Sequence, residues 1–141
     1  MNQPQQKRAV GVIGLGTMGM GAAQSLLRAG FAVHGCDLRP QVLQALVDGG
    51  GIACASPREM SEKCDVVITL VVNAEQTDAV LFGADGAVPA MRAGSVVIAS
   101  ATAAPEYAQG LAKRLAEKGI LLLDAPVSGG GAKAAAGQMT M

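Results

Sequence analysis

Apolar residues run in short unbroken blocks at positions 9–13, 31–36, 52–54, 66–72, 96–99 and 120–123. These blocks are continuous rather than alternating, the signature of parallel strands buried on both faces. Between them the apolar spacing becomes helical. Met18, Ala22, Leu26 and Ala29 share one face, with Gly30 placed as a C-cap. Pro40 followed by Val42, Leu43, Leu46 and Val47 reads as a second helix, ended by Gly49-Gly50-Gly51. Ser56-Pro57 with Glu59 supplies an N-cap, a first-position proline and an acidic first turn for a short third helix. A further piece spans 76–81. The longest spans 105–118, with Ala108, Leu111 and Leu115 on one face and Lys113, Arg114 and Lys118 towards its C-terminal half. Strand–helix alternation of this kind predicts right-handed βαβ units and an α/β, doubly wound parallel sheet in three layers.

Composition narrows the function classes. The chain has 141 residues, 50% of them hydrophobic, and eleven basic side chains balance eleven acidic ones. A neutral chain without a basic run is a poor electrostatic partner for nucleic acid. No apolar stretch approaches the roughly 20 residues of a bilayer span, so no membrane partner is expected. The three aromatic residues Phe31, Phe82 and Tyr107 leave an aliphatic core. Cys36, Cys54 and Cys64 lack metal-ligand spacing and have only His34 beside them, so they read as buried thiols of a cytoplasmic protein with no metal. One domain is expected over 9–141, after a polar and disordered N-terminus at 1–8 that carries no targeting signal.

The most informative segment is Val10-Gly11-Val12-Ile13-Gly14-Leu15-Gly16-Thr17-Met18-Gly19. A GxGxxG pattern here closes a strand and opens a helix. Gly14 permits the tight turn, Gly16 lets a pyrophosphate approach the backbone, and Gly19 lets the helix pack close to the sheet. Alone, the pattern allows a generic tight turn. The second strand, however, ends in Cys36-Asp37, 18 residues after Gly19, where a carboxylate accepts hydrogen bonds from an adenosine ribose. Loop, helix, strand and acid together point to a dinucleotide. A carboxylate binds a ribose diol and repels a 2′-phosphate, so NAD is favoured over NADP, with Arg39 read as a solvated loop charge. A methyltransferase using S-adenosylmethionine also needs a glycine loop and an acid, but not the third glycine.

A second cluster, Asp124-Ala125-Pro126-Val127-Ser128-Gly129-Gly130-Gly131, follows the last strand. Composition alone permits a flexible turn. Its place at a strand's carboxyl end favours a loop that presents backbone N–H groups and a hydroxyl to a small acid.

With these motifs the chain resembles the β-hydroxyacid (3-hydroxyisobutyrate) dehydrogenase family over about residues 8–141. The segment Val12-Ile13-Gly14-Leu15-Gly16-Thr17-Met18-Gly19, continuing through Ala22-Ala23-Gln24-Ser25-Leu26, is similar to the family's cofactor signature. Asp124 through Gly130, with Ala132 and Gly137, is similar to its substrate signature. The resemblance implies a Rossmann-type domain in which Gly14, Leu15, Gly16, Thr17, Met18, Gly19, Asp37, Leu38, Val72, Asn73 and Thr102 hold NAD. It also implies that Ser128, Gly129 and Gly130 contact the substrate's carboxylate and hydroxyl. Thr102 matches the family's Ser-Thr-x-x-Pro motif beside the nicotinamide. Departures occur at Ala99, Ala101 and Val72, which stand where the family has an acid, a serine and a proline. Leu70-Val71-Val72-Asn73-Ala74 and Gly131-Ala132-Lys133-Ala134-Ala135 look most like the L-threonate dehydrogenase branch.

By that resemblance the activity is oxidation of a small hydroxy acid, L-threonate to 2-oxo-tetronate, with 3-hydroxyisobutyrate or 2-hydroxy-3-oxopropionate as alternatives. A non-catalytic dinucleotide-binding regulatory module is the competing class. The family's catalytic lysine, in a GxxxKxxN context, has no counterpart here and is expected beyond Met141, leaving this chain inactive alone. Lys133 reads as solvent-facing, His34 and Tyr107 as packing residues. Gly137-Gln138-Met139-Thr140-Met141 opens another strand-like run, so a truncated chain is expected. The family's all-helical second domain, which often makes a homo-oligomer, is then absent and its loss exposes apolar surface.

Overall fold

The computed structural model describes residues 7–141. Its elements run β1 (Ala9–Ile13), α1 (Thr17–Arg28), β2 (Ala32–Cys36), α2 (Pro40–Asp48), β3 (Ile52–Ala53) and α3 (Pro57–Ser61). They continue with β4 (Val66–Thr69), α4 (Ala74–Phe82), a 3₁₀ turn (Val88–Ala90), β5 (Val96–Ala99), α5 (Pro105–Ala116), β6 (Leu121–Asp124) and α6 (Gly130–Ala135). The strands form one parallel sheet in the order β3-β2-β1-β4-β5-β6. This is the doubly wound order, and its direction reverses between β1 and β4. Of the expected disordered terminus, residues 1–6 lie outside the described residues. Lys7 and Arg8 are exposed, and the Arg8 carbonyl accepts the Ala32 N–H at 2.9 Å.

Both sheet faces are covered, which is why the strands read as unbroken apolar runs. On one face Val12 and Val33 pack with Leu15, Ala23 and Leu46 beneath α1 and α2. On the other, Ile13, Cys36, Val67, Val97 and Ala99 pack with Met60, Leu81, Leu111 and Leu115 from α3, α4 and α5. Glycines on the strands admit the bulk opposite them: a Cβ on Gly11 would overlap the Met60 side chain, and one on Gly35 would overlap Leu46. The helix ends follow the sequence signals. Ser56 Oγ accepts the Glu59 N–H at 3.1 Å, and Gly30 and Gly119 take positive φ after α1 and α5.

Three expectations are corrected. The run at 66–72 leaves the sheet after Thr69, because the neighbouring strands β1 and β5 also end at that level and offer no further ladder. The helix expected at 105–118 stops at Ala116, with Glu117 as C-cap and Gly119 turning the chain. The glycine cluster after Ser128 is only partly a loop. Gly131 lies in α6, where a Cβ would overlap the Thr17 side chain, so this glycine serves close packing of α6 on α1. Leu121 and Leu123 on β6 are apolar yet 64% and 53% exposed. Among the described residues no helix is long and apolar enough to cross a membrane.

Substitution of Leu115, fully buried on α5, by Ala is expected to cost about 2–5 kcal/mol. Leu123→Ala, on the open face, is expected to change stability by only about 0.5 kcal/mol. Urea unfolding of the two variants checks this contrast.

Candidate dinucleotide site

Strand order reverses between β1 and β4, so the crossovers diverge there and leave a crevice at the carboxyl ends of the strands. The glycine loop sits at this point. Gly14 has φ +93°, and a Cβ on it would press on the Leu70 carbonyl of the loop after β4. A Cβ on Gly19 would overlap the Gly14 carbonyl oxygen. These two glycines therefore serve the fold. Gly16 differs, because a Cβ there meets nothing within 4 Å. Its lack of a side chain keeps open space in front of α1. Gly16 is also the N-cap of that helix, with no side-chain cap and no acidic residue in the first turn. The helix thus presents N–H groups and the positive end of its dipole to the open side.

Asp37 stands beside this loop with its side chain only 8% exposed. Oδ2 accepts the Leu15 N–H at 2.8 Å, and Oδ1 accepts the Arg39 N–H at 3.0 Å. The Arg39 guanidinium donates to both oxygens, Nε to Oδ1 at 2.9 Å and an Nη to Oδ2 at 3.1 Å. Arg39, expected as a solvated charge, is therefore half of an ion pair. Its hydrogen bond, aided by the Leu15 and Arg39 backbone donors, draws the Asp37 carboxyl down to about 2 against the opposing effect of burial. Asp37 is ionised at neutral pH.

The remaining sequence-derived residues surround the same edge. Leu38 and Val72, after β2 and β4, are apolar yet 101% and 76% exposed. Asn73 caps α4, its side-chain oxygen accepting the Gln76 N–H at 2.8 Å. Gln76 returns the contact by accepting the Val72 N–H at 2.9 Å. Thr102 is exposed on the loop after β5. Ser128 forms an antiparallel bridge with Thr140, and Gly129 and Gly130 follow it at φ +121° and +77°. Lys133 is exposed on α6, and His34 is buried in β2. Tyr107 is more than a packing residue, since its hydroxyl donates to Asp78 at 2.7 Å while Arg114 also pairs with Asp78. Among the described residues no group of His, Cys, Asp and Glu could hold a metal ion. The ion pair at Asp37 and the Tyr107–Asp78–Arg114 tie were not legible as such in the sequence; the i to i+2 spacing of Asp37 and Arg39 was the signal available for the first.

Residues 9–141 match the family model described as the NAD-binding domain of 6-phosphogluconate dehydrogenase. The chain belongs to that family. It is 67% identical over 134 residues to an L-threonate dehydrogenase of Cupriavidus necator, covering 95% of this chain and 45% of the relative. A Haemophilus influenzae protein of the same name is 47% identical over 137 residues, covering 96% and 46%. A crystal structure of a Salmonella typhimurium 3-hydroxyisobutyrate dehydrogenase superposes with a TM-score of 0.91 at 47% identity, covering 95% of this chain and 47% of that one. The chain thus spans a little under half the length of these relatives. The doubly wound fold and the NAD-binding, hydroxyacid dehydrogenase kinship expected from the motifs are what these matches bear out.

Two measurements probe the loop and the acid. Gly19→Ala is expected to destabilise the protein by about 1–3 kcal/mol through overpacking. Gly16→Ala is expected to leave stability within about 0.5 kcal/mol while weakening NAD binding, and calorimetry with parallel urea melts separates the two effects. The lowered folded-state value of Asp37 sets the pH response. Its contribution is complete above the ordinary carboxylate range near 3.8 and is lost as pH falls towards about 2. Stability of Asp37→Asn, followed by acid titration, is expected to fall less steeply across that window.

Proposed function

We propose that this domain binds NAD across the carboxyl ends of β1 and β4 and contributes the cofactor half of a hydroxyacid dehydrogenase site. The observation that carries the reading is the open, uncapped N-terminus of α1 at Gly16 with the ionised Asp37 fixed beside it through the Leu15 N–H. The site suits a dinucleotide. The N–H groups at Gly16, Thr17 and Met18 face the place of the pyrophosphate. Asp37 offers acceptors to a ribose diol once Arg39 swings aside. Leu38 and Val72, exposed at the same edge, offer apolar contact to an adenine. When bound, the nicotinamide supplies the hydride-accepting carbon. Thr102, exposed on the loop after β5, is the residue that the family motif would set beside that ring.

The chain's own contribution to catalysis is then orientation. Ser128, Gly129 and Gly130 would fix the acid group of the substrate so that its carbinol carbon faces the cofactor. No residue of this chain is assigned to take the hydroxyl proton, and Lys133 lies exposed on α6. The substrate class is a small hydroxy acid. L-Threonate is the preferred member because the Cupriavidus and Haemophilus relatives bear that name. The Salmonella relative bears the name of 3-hydroxyisobutyrate, so both acids belong in the assay. A cytoplasmic protein that assembles as a homo-oligomer completes the proposal.

Calorimetry tests the cofactor reading directly. NAD is expected to bind more tightly than NADP, and Asp37→Ala is expected to lose about 1–3 kcal/mol of NAD affinity. Tighter NADP binding, or an unchanged Asp37→Ala, overturns the ribose role. The 141-residue chain is expected to show no turnover with either acid, and measurable oxidation of L-threonate by it would place the proton acceptor within this domain.

A further inference from the structure

Beneath the ribose carboxylate lies a group of thiols that the cofactor reading does not use. β2 and β3 pair in parallel register, His34 opposite Ile52 and Gly35 opposite Ala53. The ladder continues with the Cys54 N–H donating to the Gly35 carbonyl at 2.9 Å. Cys36 and Cys54 are therefore the next lateral pair, on the same sheet face and in the same core cluster. Neighbouring strands lie about 4.8 Å apart, inside the roughly 4.4–6.8 Å Cα separation that a disulfide spans. The Cys36 thiol donates to the Met60 sulfur at 3.9 Å. The His34 Nδ1 lies 3.9 Å from the Cys54 Sγ.

Chemistry distinguishes the members of the group. The neighbouring Cys36, with His34 adding to it, draws the Cys54 thiol down to about 6 against the effect of burial. The same pairing and burial push Cys36 well above the ordinary thiol range. Burial pushes Cys64 up to about 12, so it stays a thiol. Cys54 is buried in the closed structure, so an oxidant reaches it by local opening of the sheet edge. Cys54 directly follows the two-residue edge strand β3 and lies between exposed Ala53 and exposed Ala55. Short edge strands of this kind open locally at low cost.

We infer that Cys36 and Cys54 form a reversible disulfide that couples the oxidation state of the protein to its dinucleotide site. A peroxide is the oxidant. The Cys54 thiolate attacks one peroxide oxygen, the O–O bond breaks, and the departing hydroxide takes a proton and leaves as water. Cys36 then attacks the Cys54 sulfur of the resulting sulfenic acid. The S–O bond breaks, and the Cys36 proton leaves with the hydroxide as a second water. Two thiols thus give two electrons to one peroxide.

The coupling runs through one residue. The Cys36 carbonyl accepts the Gly14 N–H at 3.0 Å, and the next residue, Asp37, holds the Leu15 N–H. A cross-link that re-sets the Cys36 backbone therefore re-sets both anchors of the glycine loop. This second half rests on the proposed dinucleotide reading, whereas formation of the disulfide does not.

The test is peroxide treatment of the purified protein, followed by cleavage at Asp37 and Asp48, mass spectrometry and NAD calorimetry. A peptide linking Cys36 to Cys54 is expected, removed by a thiol reductant and absent in Cys54→Ser and Cys54→Ala. Cys64→Ser is expected to retain it. NAD affinity is expected to fall about fivefold or more on oxidation, the low end of ordinary coupling between sites, and to recover on reduction. In the Cys54 variants it is expected to ignore peroxide. Absence of the linked peptide overturns the disulfide, and a complete cross-link with unchanged NAD affinity overturns the coupling. Failure of the reduced protein to bind NAD removes the dinucleotide reading, and the coupling with it, while the linked peptide still decides the disulfide.

Discussion

How closely α1 approaches β1 governs the rest of the molecule. Only three residues separate the strand from the helix, and Gly19 lies against the Gly14 carbonyl with no room for a methyl group. That approach brings the α1 N-terminus over the strand ends at the point where sheet order reverses. It brings the Leu15 N–H within 2.8 Å of Asp37, so the turn and the acid are fixed as one unit. The same helix presents Gly21 and Thr17 to α6, where Ala134 and Gly131 pack against it. A helix pressed from both sides needs small residues on both sides, which accounts for the glycine and alanine content of its first two turns.

This constraint also explains what the amino-acid pattern could and could not disclose. Strands β1 and β5 were legible to the residue, because both faces are covered and nothing polar interrupts them. Helix ends at Gly30 and Gly49, and the Ser56 cap, were legible because local hydrogen bonding alone decides them. α6 was not. Six residues rich in glycine and alanine have no helical periodicity to read, and the helix exists by packing on α1 rather than by propensity. The end of β4 was hidden for a related reason. Leu70, Val71 and Val72 are as apolar as the strand before them, and only the ends of the neighbouring strands stop the ladder.

The candidate site divides in the same way. Gly14, Gly16, Gly19 and Asp37 could be placed because each follows from the geometry of one strand–turn–helix unit. The roles of the glycines could not be separated without the fold. Two of them prevent collisions within the protein, and Gly16 alone leaves space that no protein atom fills. Arg39 is exposed on its loop as read, and what the sequence did not disclose is its pairing with the nearly buried Asp37.

That pairing bears on cofactor choice in a way opposite to a free arginine. A free guanidinium beside a ribose pocket would welcome a 2′-phosphate. Here Arg39 is held through both oxygens by Asp37, the carboxylate proposed to face the ribose. For a diol to enter, Arg39 withdraws and two hydroxyl donors take its place on Asp37, an exchange of donors on one anion. A phosphate entering instead would meet a carboxylate that remains ionised, because the Leu15 and Arg39 backbone N–H groups still bind it after the guanidinium has left. Arg39 would then have to abandon one anion for another while the first stays close behind it. The balance favours the unphosphorylated dinucleotide, with Arg39 covering the acid until it arrives.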